Sequence, residues 1–225
     1  VARDHLGIKP LYYYENESSI FFSSEIKPFK YITNFDLNEK VLFEQIKFRY
    51  VAGRNTIYKN IFRLNAGEKC FIEGKKIIFD KYYNLKNTFL NKVSPDISNI
   101  KNIINSSIKS HTISDVGYSV QLSGGLDSSY ITAYLSQLSR KKANTVSVSI
   151  SDTDCDEFIY QKYVSNKFNT NHQYLKFGEK DLYENFSKFT YYMDMPIIHV
   201  NCVFLYLLSK EISKSYKVVL TGEGS

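Results

Sequence analysis

Residues 117–129, GYSVQLSGGLDSS, commit the chain to a strand, a tight turn and a helix in immediate succession. Tyr118, Val120 and Leu122 alternate as on a half-buried strand, and Ile131, Tyr134, Leu135 and Leu138 return at helical spacing. Gly124 and Gly125 have no Cβ, so the backbone between these elements can turn sharply. It can then present its N–H groups at the positive end of the following helix. Such a turn is a seat for the pyrophosphate of ATP, with Ser123 and Ser128 as hydroxyl donors. Asp127 standing alone would repel phosphate, so its use there is to hold the magnesium ion that accompanies ATP, because hard cations choose carboxylate oxygens. The simpler alternative is a helix capped by serine and aspartate, but a strand before the motif and a helix after it favour the nucleotide reading. Neither GxxxxGKS nor GxxxxGKT occurs, and no GxGxxG follows a strand, so kinase-like and dinucleotide readings lose their main support.

Hydrophobic residues make up 43% of the 225 positions, enough for one large core or two modest ones. The net charge of +6 comes from scattered lysines, with no arginine stripe and no aromatic-interleaved basic block, which argues against nucleic acid as a partner. Cys70, Cys155 and Cys202 are odd in number and far apart, a pattern of reduced structural thiols rather than a disulfide framework or zinc site. The longest apolar run, 202–208, is too short to span a bilayer, and no signal-peptide pattern opens the chain. No membrane partner and a cytoplasmic address are therefore expected. The absence of an initiator Met and the stop at TGEGS, directly after an apolar strand, are those of an internal piece of a longer protein.

Two compositional blocks follow. Up to about residue 84, strand signals dominate at 11–14, 20–23, 69–72 and 77–82, the last pair forming a hairpin across Glu73 and Gly74. A helix is expected at 38–48. Residues 85–96, polar and containing Pro95, read as a linker. From residue 97 onward, helices at 97–110, after Ser128, and at 157–168, 179–191 and 203–215 alternate with strands at Tyr118, 145–150, 173–175 and 217–220. The order implies an α/β domain with a doubly wound parallel sheet, which binds ligands beyond the carboxyl ends of its strands. Those ends carry SGGLDS, the segment around Val148, and TGEGS at Thr221. Gly222 and Gly224 again permit close backbone approach, and Glu223 puts a carboxylate into a site otherwise suited to anions.

SGGLDSS followed by KVVLTGEGS resembles the synthetase domain of glutamine-dependent asparagine synthetases, a branch of the PP-loop ATP pyrophosphatases. Independently, ARDHLGIKPLYYY, FSSEIKPF, KFRYVAG and NTIYKNIFRL resemble, in order, the later part of that family's glutaminase domain, an N-terminal nucleophile hydrolase of αββα type. The resemblance covers nearly the whole chain. It implies residues 1–84 as the C-terminal part of a type 2 glutamine amidotransferase domain, 85–96 as linker, and 97–225 as the N-terminal part of a PP-loop, Rossmann-like domain.

By the resemblance, the backbone of Leu122 and Val148 flanks adenosine. Ser123, Gly124, Gly125, Leu126, Asp127 and Ser128 hold pyrophosphate and its magnesium, and Thr221 and Gly222 complete the nucleotide site. Glu223 matches the glutamate associated with forming the acyl-adenylate, and Asp4 matches the aspartate that receives the amino group of glutamine. For Asp4 a turn-forming role is the alternative. The implied reaction converts aspartate, ATP and glutamine to asparagine through a β-aspartyl adenylate; the resemblance leaves room for a homodimer of the full-length protein. The chain lacks the family's N-terminal cysteine nucleophile, so it is not expected to hydrolyse glutamine alone, and Cys70 in a hairpin strand is no substitute. Asp194, Met195 and Pro196 stand where the family commonly has Asp-Glu-Pro, and His172 with Gln173 where His-His-Glu is frequent. Two other readings stand beside the leading one: the same chemistry on another carboxylate, sugar or peptide acceptor, and a non-catalytic ATP-binding homologue. His5, His111 and His199 read as structural.

Overall fold

The computed structural model describes residues 1–74, 76–89, 96–138, 141–150, 157–197 and 199–223. Pro95, Cys155 and Gly224 lie outside them, as do residues 90–95 of the expected linker. By internal contacts the chain forms two units. The first comprises Val1–Val93 with Thr190–Ile198, and the second Ser94–Phe189 with His199–Ser225.

In the first unit β1 (Tyr12–Glu15) pairs antiparallel with β2 (Ile20–Ser23) on one side and with β3 (Ile61–Arg63) on the other. Alternation sends successive tyrosines to opposite faces. Tyr12 and Tyr14 pack with Phe21 and Phe35 around the buried Ile26, Phe29 and Ile61, the first two of which belong to a short 3-10 segment (Lys27–Tyr31) and its cap. Tyr13, opposite Phe22 and Phe62, lies 5.7 Å from Phe79. Burial raises its hydroxyl pKa. Tyr13 is thus a core residue. β4 (Glu68–Glu73) and β5 (Lys76–Lys81) form the expected hairpin, with Gly74 at φ +60°. α1 (Glu39–Phe48) starts at Asn38, whose side chain accepts from the Val41 N–H, and ends at Arg49 in the left-handed region. β3 escaped the sequence reading because three residues are too few to show a period.

The part of the first unit that comes from late in the chain is held by charge. Asp194, at φ +58°, accepts the Ile26 N–H (2.8 Å) and pairs with Lys27 (3.0 Å), while Met195 packs on Val41, Val51 and Ile57. The departure from the Asp-Glu-Pro pattern at Met195 therefore sits among first-unit residues. Beside them a hollow of about 20 Å³ adjoins Gln45, whose buried amide has no partner; it is large enough for one water.

The second unit is a parallel sheet in the order β8-β7-β6-β9, made of β6 (Tyr118–Gln121), β7 (Asn144–Ile150), β8 (Asn171–Phe177) and β9 (Val218–Leu220). α3 (Ile97–His111) and α4 (Leu126–Leu138) cover one face, where Ile108 and Leu135 meet Val120 and Leu220. α7 (Asn201–Ile212) covers the other, with Leu208 and Ile212 against Val146 and Val219. Adjacent residues Val219 and Leu220 point to opposite helical layers, so both faces of the parallel sheet are covered, as its crossovers require. α5 (Glu157–Lys167) and α6 (Glu179–Met193) complete the alternation. β8 runs longer than the expected 173–175; as an edge strand it tolerates the polar Asn171, His172 and Gln173 that weakened its apolar signal. The short α2 (Leu85–Phe89) lies in the stretch read as linker.

His172 lies at the end of the sheet opposite the strand carboxyl ends. Its Nδ1 is 2.7 Å from the Thr145 hydroxyl, its buried Nε2 has no partner among the described residues, and Tyr174 packs edge-on at 4.1 Å. Burial lowers its pKa to about 4. The unfolded chain therefore takes up this proton first. The stability from the neutral ring is complete above about pH 6.5 and is lost as pH falls towards 4. The group is partly exposed, so solvent screening reduces the effect to about 1–2 kcal/mol. Melting curves across this window should slope more steeply for the native protein than for His172→Phe; equal slopes would refute the account.

Candidate active site

At the end of β6, Leu122 is fully buried. Its N–H bonds the Val146 carbonyl at 2.8 Å and its own carbonyl accepts from the Ser147 hydroxyl. This locks the residue that follows the strand, just before the turn. Gly124 then takes φ +89°, and a Cβ there would lie 3.0 Å from that of Tyr160 and 3.2 Å from the Gln161 N, so glycine is required by both conformation and packing. Ser123 and Ser128 do not simply point outward as hydroxyl donors. Their hydroxyls lie 2.9 Å apart, the Ser123 N–H donates to Ser128 Oγ (3.2 Å), and Ser128 Oγ donates to the Gly125 carbonyl (3.3 Å). The hydroxyls stitch the loop, leaving anion contact to the first-turn N–H groups of α4, which have no carbonyl within the helix to bond.

β9 is the neighbour of β6, with Val120 opposite Leu220, so the segments leaving the two strands emerge side by side. A Cβ on Gly222 would stand 3.0 Å from the Ser128 N and 3.1 Å from Asp127 Cβ: the second glycine motif lies directly on the first turn of α4. A cavity of about 110 Å³ thereby collects Ser123, Gly125, Asp127 and Ser128 with Thr221, Gly222 and Glu223. Gln121, the last residue of β6, also lines it and had no signal beyond its place before the motif. Leu122, Gly124, Leu126 and Val148 do not line this cavity. Leu122 and Gly124 build the turn beneath it, Leu126 is 84% exposed, and Val148 is half-buried on β7. Asp127 and Glu223 bring two exposed carboxylates to one small cavity beside backbone N–H groups, a donor set that suits a magnesium ion completed by phosphate oxygens. Among the described residues no cluster of three or more His, Cys, Asp or Glu side chains could hold a metal unaided.

A larger hollow of about 350 Å³, flanked by Asp181, Glu184, Lys188 and Lys210, opens between α6 and α7. Its charged walls are mostly solvent-exposed and carry no converging chemistry.

Asp4 is in the first unit. Its Oδ1 accepts the N–H groups of Leu6 and Ile8 and its Oδ2 that of Lys9; the bonds from Lys9 and Ile8 hold its carboxyl below its ordinary pKa. The turn-forming role is thus realised, and three of about four acceptor positions are used, leaving one on Oδ2. Arg3, quoted in the motif but given no role, fixes the same loop by donating to the carbonyls of Lys9, Gly7 and Leu64 at 2.6–2.8 Å.

No helix among the described residues is long and apolar enough to cross a membrane. Residues 99–225 match the family model described as asparagine synthase, and residues 1–83 that of a glutamine amidotransferase domain. The chain is 30% identical over 233 residues to a Methanocaldococcus jannaschii protein named "Putative asparagine synthetase (glutamine-hydrolyzing) 2", an alignment spanning 99% of this chain and 45% of the relative. It is 26% identical over 227 residues to asparagine synthetase (glutamine-hydrolyzing) 1 of Bacillus subtilis, covering 100% and 36%. Amidase chyE of Penicillium rubens is 24% identical over 248 residues, covering 100% and 36%. The chain thus spans less than half the length of these relatives. With a synthase match over more than half of its residues, adjoining an amidotransferase match ahead of it, the chain belongs to the asparagine synthase family.

Proposed function

We propose that the chain forms the nucleotide-binding part of a cytoplasmic, glutamine-dependent asparagine synthetase, built from a partial N-terminal nucleophile hydrolase domain and a partial PP-loop domain. The observation that carries this is the meeting of two motifs distant in sequence, SGGLDS and TGEG, at the carboxyl ends of adjacent parallel strands. The cavity is well below the roughly 300 Å³ that encloses a drug-sized ligand, and its size suits the phosphate end of ATP. The first-turn N–H groups of α4 would face the pyrophosphate, with Thr221 and Gly222 closing the opposite side. Leu122 and Val148 would flank the adenosine through their backbones. Asp127 and Glu223 are the carboxylates that would hold a magnesium ion, whose chemistry there is to offset charge on the departing pyrophosphate.

In the reaction so read, a carboxylate oxygen of aspartate attacks the α-phosphorus and pyrophosphate leaves. Ammonia from glutamine then attacks the acyl carbon and AMP leaves. Glu223 acts in the first step, and the free acceptor position of Asp4 takes the amino group of glutamine in the other unit. A second reading, another acceptor with the same chemistry, draws support from the amidase among the relatives. Exchange of labelled pyrophosphate into ATP by the intact protein, with ammonia and a panel of carboxylates, separates these. Dependence on aspartate, lost in Glu223→Ala, is the expected result. Dependence on another acid moves the substrate and keeps the chemistry, and no exchange with any acid favours a non-catalytic homologue.

A further inference from the structure

Gln161 is 2% exposed on α5, in the layer beneath the nucleotide loop. Its Nε2 donates to the Ser123 carbonyl at 3.3 Å and to the Val148 carbonyl at 3.4 Å. These lie two residues past β6 and near the end of β7, the two neighbouring strands whose backbones the nucleotide reading uses. Its Oε1 is buried and, among the described residues, has no partner. A buried orphan acceptor lowers stability, and an apolar side chain of the same volume would avoid that cost. Stability alone therefore does not account for an amide here. Between its two acceptors, Gly124 packs against the backbone of the same helix, 3.2 Å from the Gln161 N to a built Cβ. The loop is thus held by α5 at Ser123 and Gly124, and the end of β7 at Val148.

We infer that Gln161 is a positioning residue: its carboxamide ties the Ser123 and Val148 carbonyls together and sets the spacing of the β6 and β7 ends that receive the nucleotide. The inference rests on the nucleotide-binding reading above. The amide touches neither phosphate nor base and acts through the loop. Sequence offers no hint of it, since position 161 lies in an ordinary polar helix register.

Gln161→Met in the intact protein keeps length and volume, removes both donors and also removes the orphan acceptor. The expected result is magnesium-ATP binding weakened about tenfold by calorimetry, faster amide exchange confined to residues 123–126 and 148–149, and a melting temperature that does not fall. Affinity and local exchange both unchanged would overturn the proposal. So would a lowered melting temperature with exchange accelerated throughout the second unit, the signature of a purely structural residue. Gln161→Glu gives a second route if the methionine variant fails to fold. Its acid form donates one hydrogen bond and its ionised form none, so its affinity deficit relative to the native protein should shrink as pH falls, and a deficit independent of pH counts against the proposal. If the unaltered protein does not bind magnesium-ATP, the nucleotide reading fails. The exchange measurement on Gln161→Met still decides whether the amide holds the loop.

Discussion

Asp127→Ala in the intact protein is expected to lower aspartate-dependent exchange of pyrophosphate into ATP by about 10²- to 10³-fold, the range seen when one preorganised electrostatic contact to a developing charge is removed. The side chain is exposed and, among the described residues, forms no salt bridge, so its removal costs the fold little beyond a favourable charge in the first turn of α4. A melting temperature within a few degrees of the parent, alongside the lost exchange, would place the effect in the site. Because Asp127 and Glu223 share one cavity, the double alanine variant should lose little more than the worse single variant, as groups that serve one transition state are not additive. Exchange at the parental rate in Asp127→Ala and in Glu223→Ala would remove the catalytic assignment.

The largest stability effect is expected at a residue with no chemistry. Gly67 sits at φ +65°, and a Cβ there would be 2.5 Å from the Tyr83 carbonyl oxygen, a backbone atom that cannot rotate away. Its N–H donates to the Asp4 carbonyl (2.8 Å) and its carbonyl accepts from the Tyr83 N–H (3.0 Å). Gly67→Ala adds a left-handed backbone penalty to a steric clash, together about 2–4 kcal/mol. It should also loosen the loop that carries Asp4. Chemical denaturation measures the first effect, and faster amide exchange at Ile8 and Lys9, whose N–H groups bond the Asp4 carboxylate, reports the second. A variant as stable as the parent would contradict the close approach at Tyr83.

The alternation of strands and helices in the second unit was legible because β6 and β7 show period two, and Gly117, Gly124, Gly125 and Gly178 punctuate turns between its elements. Ser123, Gly125, Asp127, Ser128, Thr221, Gly222 and Glu223 were legible as one site because parallel sheets gather their strand ends, and the structure brings these seven to one cavity. Residues whose role depends on what lies behind the loop were not legible. Gln161 acts through bonds to two main-chain carbonyls, and Arg3 through three, and main-chain acceptors leave no mark on residue identity. The inward turn of Ser123 and Ser128 was missed for a related reason: a hydroxyl's partner is chosen by rotamer, and composition suggests only that it can donate. The destination of Asp194 was hidden because its ion pair with Lys27 spans 167 positions.

That span has a consequence in time. A ribosome extends the chain at about 5–20 residues per second, so Lys27 and the Ile26 amide emerge some 10–30 s before Asp194 is made. In the later part of that interval every residue of the sheet and aromatic core has been made, while the carboxylate and the methionine that complete the unit have not. Its final packing therefore follows the synthesis of most of the second unit, although nearly all of its own sequence comes first.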